Sequence, residues 1–290
     1  MNQVPDEILL KIFKNLRQED LLQACEVSKA FSRVSRDPSL WKEIILTKTT
    51  NLSQSRQTNN EIVCKMVKMN PRLSTFIIDR FISREICTET IVREALAREG
   101  MRLEQLGLEV EGGLSLALLS QLARSRAHRT LTALNIAISS IETGLCDIAA
   151  FQNLNKLHFR IESHTGRSYI FGTWEQESVY VDSILDLDNL KELVVEGVLR
   201  GFQRFTKGIK NGKLRNLEKL ALRFLLDISA EDIKTIVTSL KQLRYLEIDT
   251  THDLLDEIKE TLESLSDLFP YILFTDLPRL TIPRKKVINI

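Results

Sequence analysis

The chain has 290 residues, with 40 lysines and arginines against 39 aspartates and glutamates, a net charge of +1. That balance excludes a bulk charge that would recruit nucleic acid, an anionic membrane surface or an acidic substrate. At 43% hydrophobic and 27% charged, the composition is that of a globular protein with core enough for one large domain or two smaller ones.

In chain order, VPDEILLKIFKNL opens with helix-start signals. Pro5 suits the first helical position, and Asp6 and Glu7 place carboxylates in the first turn, where they complement the helix dipole. The same two charges interrupt any signal-peptide apolar stretch. Ile8, Leu9, Ile12, Phe13 and Leu16 form one broad apolar stripe. A second helix is expected from about Asp20, carrying Leu21, Leu22, Ala24, Cys25, Val27, Phe31 and Val34. A third is expected with Asp37 as cap and Pro38 at its first position, carrying Leu40, Trp41, Ile44 and Ile45. Fully burying a Leu, Ile or Phe contributes ~1.5–3 kcal/mol, and three short helices hold more such residues than they can enclose. Part of this surface is expected to stay open as a binding patch, unless the rest of the chain covers it.

The run Val4-Pro5-Asp6-Glu7-Ile8-Leu9, then Ile12-Phe13, Leu16, Asp20-Leu21, Val27-Ser28-Lys29, Phe31 and Asp37-Pro38-Ser39-Leu40-Trp41-Lys42 resembles an F-box over roughly the first 46 residues. Val4 stands where leucine is usual, and Phe31 where tryptophan is common. The resemblance implies binding to the Skp adaptor of cullin–RING (SCF) ubiquitin ligases and, through it, to the cullin and RING subunits. The contact residues it implies are Pro5, Ile8, Leu9, Ile12, Leu16, Leu21, Val27, Phe31 and Trp41, some of which must be internal core. Residues 47–60, TKTTNLSQSRQTNN, are almost wholly polar and read as a connector.

From residue 61 to 290 the chain repeats itself. Leucine, two variable residues, an apolar residue, one variable residue and another apolar residue recur, starting at Leu73, Leu103, Leu131, Leu154, Leu190, Leu217 and Leu243. The intervals are 30, 28, 23, 36, 27 and 26 residues, in or near the range of ~20–29 for leucine-rich repeats. A degenerate eighth strand is expected at 271–274. Helical patterns lie between strands, at 89–96 after Thr88 and at 230–240 after Ser229. A strand-plus-helix unit cannot bury its apolar side alone but can do so when stacked. The predicted fold class is therefore α/β, three N-terminal helices followed by a solenoid with a parallel sheet inside and helices outside. The array resembles the leucine-rich repeats of F-box proteins. It lacks the Asn or Cys usual after the strand, where Phe81, Glu111, Ser139, Glu162, Val198, Leu225 and Thr251 stand instead.

The longest interval contains an insertion, residues 162–183. Four aromatics (Tyr169, Phe171, Trp174 and Tyr180) fall in it, in a chain that is 6% aromatic. Such a loop anchors a partner or packs locally on the repeat edge. In the repeats, the variable residues beside the second apolar position should face outward. They include His158, Arg160, Glu196, Arg223, Glu247 and Asp249. Their mixed charge suits a protein partner better than nucleic-acid phosphates. These six, with Tyr169 and Trp174, are the candidate target-binding residues.

No chemistry-bearing motif is evident. The four histidines have no metal-site spacing, and Cys25, Cys64, Cys87 and Cys146 form no CxxC and no nucleophile signature. They read as reduced thiols of a cytosolic or nuclear protein. The segment from Gly208 to Lys213 lacks the spacing of a phosphate loop and reads as a turn. No metal, cofactor, membrane span or catalytic site is expected. The reading is a substrate-recognition adaptor and not an enzyme. The alternative is a non-catalytic scaffold in which the N-terminal helices only cap the solenoid; a ligase with its own catalytic cysteine would need a further domain.

Overall fold

The computed structural model describes residues 4–47, 56–69, 73–79, 90–93, 102–109, 116–138, 145–161, 181–197, 202–225, 228–250, 260–261, 263–265, 269 and 273–276. The chain opens with three short helices, α1 (Asp6–Phe13), α2 (Gln18–Val27) and α3 (Lys29–Ser35), and a 3-10 turn, Pro38–Leu40. Among the described residues nine strands follow: β1 (Glu43–Leu46), β2 (Thr75–Ile78), β3 (Gln105–Leu108), β4 (Ala133–Ile138), β5 (Lys156–Ile161), β6 (Glu192–Glu196), β7 (Lys219–Leu225), β8 (Tyr245–Thr250) and β9 (Leu273–Asp276). They form one sheet in simple sequential order, with every neighbouring pair parallel. The connections carry helices α4 (Arg56–Met69), α5 (Leu116–Arg124), α6 (Phe202–Lys210) and α7 (Ala230–Ser239), with shorter helical pieces at 90–93 and 181–185.

The recurring leucines are the reason for this order. Leu73, Leu103, Leu131, Leu154, Leu190, Leu217 and Leu243 are all essentially inaccessible. So are the two apolar positions of strands β1 to β8, such as Leu157 with Phe159 and Leu220 with Leu222. These residues alternate along each strand and face one side, where they join Leu118, Leu122, Phe205, Ile209, Ile233 and Ile236 of the helices in a continuous core. A chain of backbone bonds links the turns before the strands. Ser74 N–H donates to Lys42, Glu104 to Ser74, Thr132 to Glu104, Asn155 to Thr132, Lys191 to Asn155, Glu218 to Lys191 and Arg244 to Glu218.

Four features differ from the expectations. The second helix is broken in two, because Ser28 is extended and its hydroxyl accepts the Phe31 N–H as the cap of α3. Asp37 does cap, accepting from Ser39 N–H at 2.8 Å with Pro38 next. The segment after it is a single 3-10 turn and then strand β1, not a third helix. Residues 56–60 are the first turns of α4, with Asn59 buried, whereas 48–55 lie outside the described residues. The last strand starts at Leu273, two residues later than expected. The helix after Ser229 does form, with a reciprocal cap between Ser229 and Asp232. Residues 90–93 are helical, but Thr88 lies outside the described residues. Gly208 is inside α6, and Gly212 at φ 86° ends it in a left-handed turn.

The turns also carry an asparagine ladder. Asn153, Asn189 and Asn216 each precede the leading leucine. Their side-chain amides donate to the carbonyls of Arg129, Gln152 and Asp188 in the preceding turn, at 2.7, 2.9 and 2.9 Å. The residue triplets QNL, DNL and RNL are the signal that was available.

Candidate functional site

Two surfaces are of interest, one on the N-terminal helices and one on the outer face of the sheet. On α1 the apolar stripe is divided. Leu9 and Phe13 are buried, and Phe13 meets Phe31 of α3 edge-on with ring centroids 5.2 Å apart. Ile8 and Ile12 remain about half exposed, as does Val4. The steps of four place Val4, Ile8 and Ile12 on one outward line. Val27, at the end of α2, is 67% exposed, and Pro5 is exposed too. Leu21 and Trp41 are core, and Trp41 donates from Nε1 to the Ser35 carbonyl at 2.6 Å. Leu16 and Phe31 are half-buried against the same core. Of the nine residues named from the resemblance, Pro5, Ile8, Ile12 and Val27 are open to a partner, while Leu9, Leu21 and Trp41 hold the helices together.

Arg33 of α3 grips Asp6 of α1 with two hydrogen bonds, at 2.8 and 2.7 Å. The Arg33 guanidinium holds the Asp6 carboxyl below its ordinary range. The Gln18 side-chain amide of α2 donates to the Glu43 carbonyl of β1.

On the sheet, register places the candidate residues side by side. Arg160, Glu196, Arg223 and Asp249 are successive partners on β5–β8, and His158, Val194, Ala221 and Glu247 form the neighbouring row. Arg160 Nε donates to Glu196 Oε2 at 2.6 Å, and Arg223 Nη1 donates to Glu196 Oε1 at 2.5 Å. Arg223 Nε also reaches across to Glu247 Oε1 at 2.6 Å, whose other oxygen accepts from Tyr245 Oη at 2.7 Å. His158 Nε2 is buried, 3.2 Å from Glu196 Oε1 but without hydrogen-bond alignment. The result is one connected network across four strands.

The outward-facing rows are not uniformly exposed. Glu196 and Glu247 are only 5% and 4% exposed, and Ala137 and Ala221 are buried as well. Parallel strands lie about 4.8 Å apart, so long arginine side chains on neighbouring strands shield what stands between them. Burial works against ionisation of Glu196, but contacts from His158, Arg160 and Arg223 outweigh it and hold the carboxyl far below its usual range. Glu247 behaves likewise: burial opposes its charge, and the bonds from Arg223 and Tyr245 prevail. Arg223, gripped by both carboxylates, is held more firmly protonated than usual.

Tyr169 and Trp174, with most of the 162–183 insertion, lie outside the described residues; 181–183 are helical. Among the described residues no helix is long and apolar enough to cross a membrane, and no group of His, Cys, Asp and Glu could hold a metal ion.

Residues 1–47 match the F-box-like family model. Among solved structures, the chain is similar to the leucine-rich repeat-containing protein LegL7 of Legionella pneumophila, with 16% identity over 76% of this chain and 71% of that one, at a TM-score of 0.43. It is also similar to an internalin of Listeria monocytogenes, with 11% identity over 83% of this chain and 65% of that one, at a TM-score of 0.38. The segment that matches the F-box-like model thus runs into a sequentially ordered parallel sheet built on leucine-rich repeats.

Proposed function

We propose that the chain is a substrate-recognition adaptor of an SCF-type cullin–RING ubiquitin ligase. The F-box-like helices bind the Skp adaptor through Val4, Ile8, Ile12 and Val27, and through it reach the cullin and RING subunits. The sheet face holds a target protein. The observation that carries this reading is the exposed apolar line on α1 within a segment that matches an F-box-like model. Side chains of that size, each gaining ~1.5–3 kcal/mol on full burial, are unfavourable in water and fitted to a protein partner. Catalysis then belongs to the partner enzymes, and this subunit raises the target's effective concentration beside the ubiquitin donor.

Co-expression with a Skp adaptor should give a complex that survives size-exclusion chromatography. The double change Ile8→Asp, Ile12→Asp should abolish it while leaving the thermal unfolding of the chain in place. Survival of the complex would show the docking assignment to be wrong.

A second reading, a scaffold whose N-terminal helices serve only to cap the repeats, is favoured by one observation: β1 is already a strand of the sheet. It forecasts no complex with the adaptor at all.

A further inference from the structure

The outward residues of the sheet divide into two unlike halves. On β5–β8 most are long, and their charges offset one another. Lys156 donates to Glu192 at 2.7 Å, Lys219 lies over the Tyr245 ring at 5.0 Å, and Arg160 and Arg223 hold Glu196 and Glu247. His158 and Asp249 complete these rows. On β1–β4 the matching positions are mostly aliphatic, small or neutral. Ile45, Ile77, Gly107 and Asn135 are successive register partners. Ile45 is 43% exposed, and among the described residues beyond Val27 no other large apolar side chain is so open. Ile77 is half-buried and lies against Gly107, where a Cβ would come within 3.1 Å of its Cγ2. Thr75, Ala133 and Ala137 keep the neighbouring rows low. No lysine or arginine stands among the outward residues of these four strands. The charged groups along them are carboxylates: Glu43 opens β1, and Glu109 follows β3 and accepts from the neutral Asn135 amide at 2.9 Å. Lys42, next to Glu43, belongs to the turn before the strand.

We propose that β1–β4 is the receiving half of the sheet, and that its occupant is a target segment with an aliphatic side chain seated on Ile45 and Ile77 and a lysine or arginine beside it, facing Glu43 or Glu109. This rests on the reading that the sheet face holds the target. Two physical arguments favour this half. Covering Ile45 and Ile77 removes aliphatic surface from water without breaking any bond the sheet already makes. On β5–β8, by contrast, an incoming charged group would have to part Arg160 or Arg223 from a buried carboxylate, which leaves that carboxylate without its counter-ion. The sign of the partner follows from the groups along the strip. An acidic or phosphorylated segment would meet Glu43 and Glu109 with no outward cation of β1–β4 to receive it, whereas a basic one finds complementary charge next to the apolar seat.

The test is selection of a randomised peptide display library on the full-length chain. Selected peptides are then measured by fluorescence anisotropy against variants checked for unchanged thermal unfolding. An aliphatic residue beside lysine or arginine should be enriched, and Ile45→Asp should weaken binding roughly tenfold. Glu43→Lys should weaken the same peptides by a smaller factor, and Lys156→Ala, on the other half, should leave them bound as before. If Ile45→Asp disturbs the fold, Ile45→Ser replaces it, with a smaller loss expected. Ile45→Asp should also retain the complex with a Skp adaptor; its loss would assign Ile45 to the docking surface and overturn the proposal. Enrichment of acidic residues, no binders, or undiminished binding to Ile45→Asp would overturn it as well. Val194→Trp, on β6, separates the two levels of the argument. Peptides blocked by Val194→Trp but not by Ile45→Asp sink only the choice of half, whereas peptides that neither variant weakens remove the sheet face as the receiving surface.

Discussion

Ile44 and Phe76 are register partners in adjacent parallel strands, and both are buried. Ile44 belongs to the segment that matches the F-box-like model, and Phe76 to the first strand after α4. The pair makes the F-box-like segment and the repeats one packed structure, with Trp41 and Leu46 completing the same core.

Removal of residues 1–46 should therefore do more than delete a binding function. It strips β1 from the sheet, uncovers Phe76 and Ile78, and is expected to give a chain that aggregates or unfolds at much lower urea. Trp41→Ala should cost about 3–5 kcal/mol in the intact chain, read from the shift in urea midpoint. Repeats that keep their midpoint after the truncation would refute the coupling.

The two sides of α1 should respond in opposite ways. Ile12→Asp falls on the exposed line and should change stability by no more than about 0.5 kcal/mol while weakening adaptor binding. Leu9→Asp buries a carboxylate beside Phe13 and should unfold the helices, visible as a lost near-ultraviolet circular dichroism signal. Equal melting of the two variants would mean that the burial pattern of α1 is misassigned.

The carboxylate network makes stability depend on acid pH. Glu196 and Glu247 have folded-state pKa values below their unfolded ones. Their stabilisation is thus fully present above the ordinary carboxylate range, about pH 4–5, and is lost as pH falls through the lower folded values. Glu196→Gln should cost about 1–3 kcal/mol at neutral pH, less than a fully enclosed pair because both arginines retain some exposure. It should also flatten the acid limb of a pH series of urea midpoints. An acid limb as steep as that of the parent chain would dissociate Glu196 from it.

Asn189→Ala removes a side-chain bond to the Gln152 carbonyl and should cost about 0.5–1 kcal/mol. Hydrogen exchange is expected to quicken in the turns on either side, not at the chain ends. Uniform exchange throughout would argue against a local ladder.

Gly208 of α6 lies directly against the Leu185 side chain. A Cβ there would fall well inside contact distance of the Leu185 side chain, so Gly208→Ala should cost about 1–3 kcal/mol by overpacking. Adding Leu185→Ala should recover part of it, and a double-mutant cycle measures the coupling. Strict additivity would mean that the two residues do not meet.

The repeat pattern was legible because each leading leucine has one job, closing the core at the same point of every unit, as Leu154 and Leu190 do. The capping residues Asp37 and Ser229 were legible for a similar reason, since a cap is satisfied within its own few residues. Ser28 was passed over because apolar residues continue at helical spacing on both sides of it. Only its extended backbone separates α2 from α3.

The chain's order of residues alone determined the parallel, sequential sheet, since units that each leave one side uncovered can only stack, and it marked the first 46 residues as helical and apolar. Tertiary structure decided two things. Residues 43–46, too short for their period to distinguish helix from strand, became β1 because β2 lies alongside to take their hydrogen bonds. Glu196 became a buried anion because register sets arginines from β5 and β7 on either side of it. Both outcomes depend on partners distant in sequence, and spacing within one segment carries no information about what another segment will bring beside it.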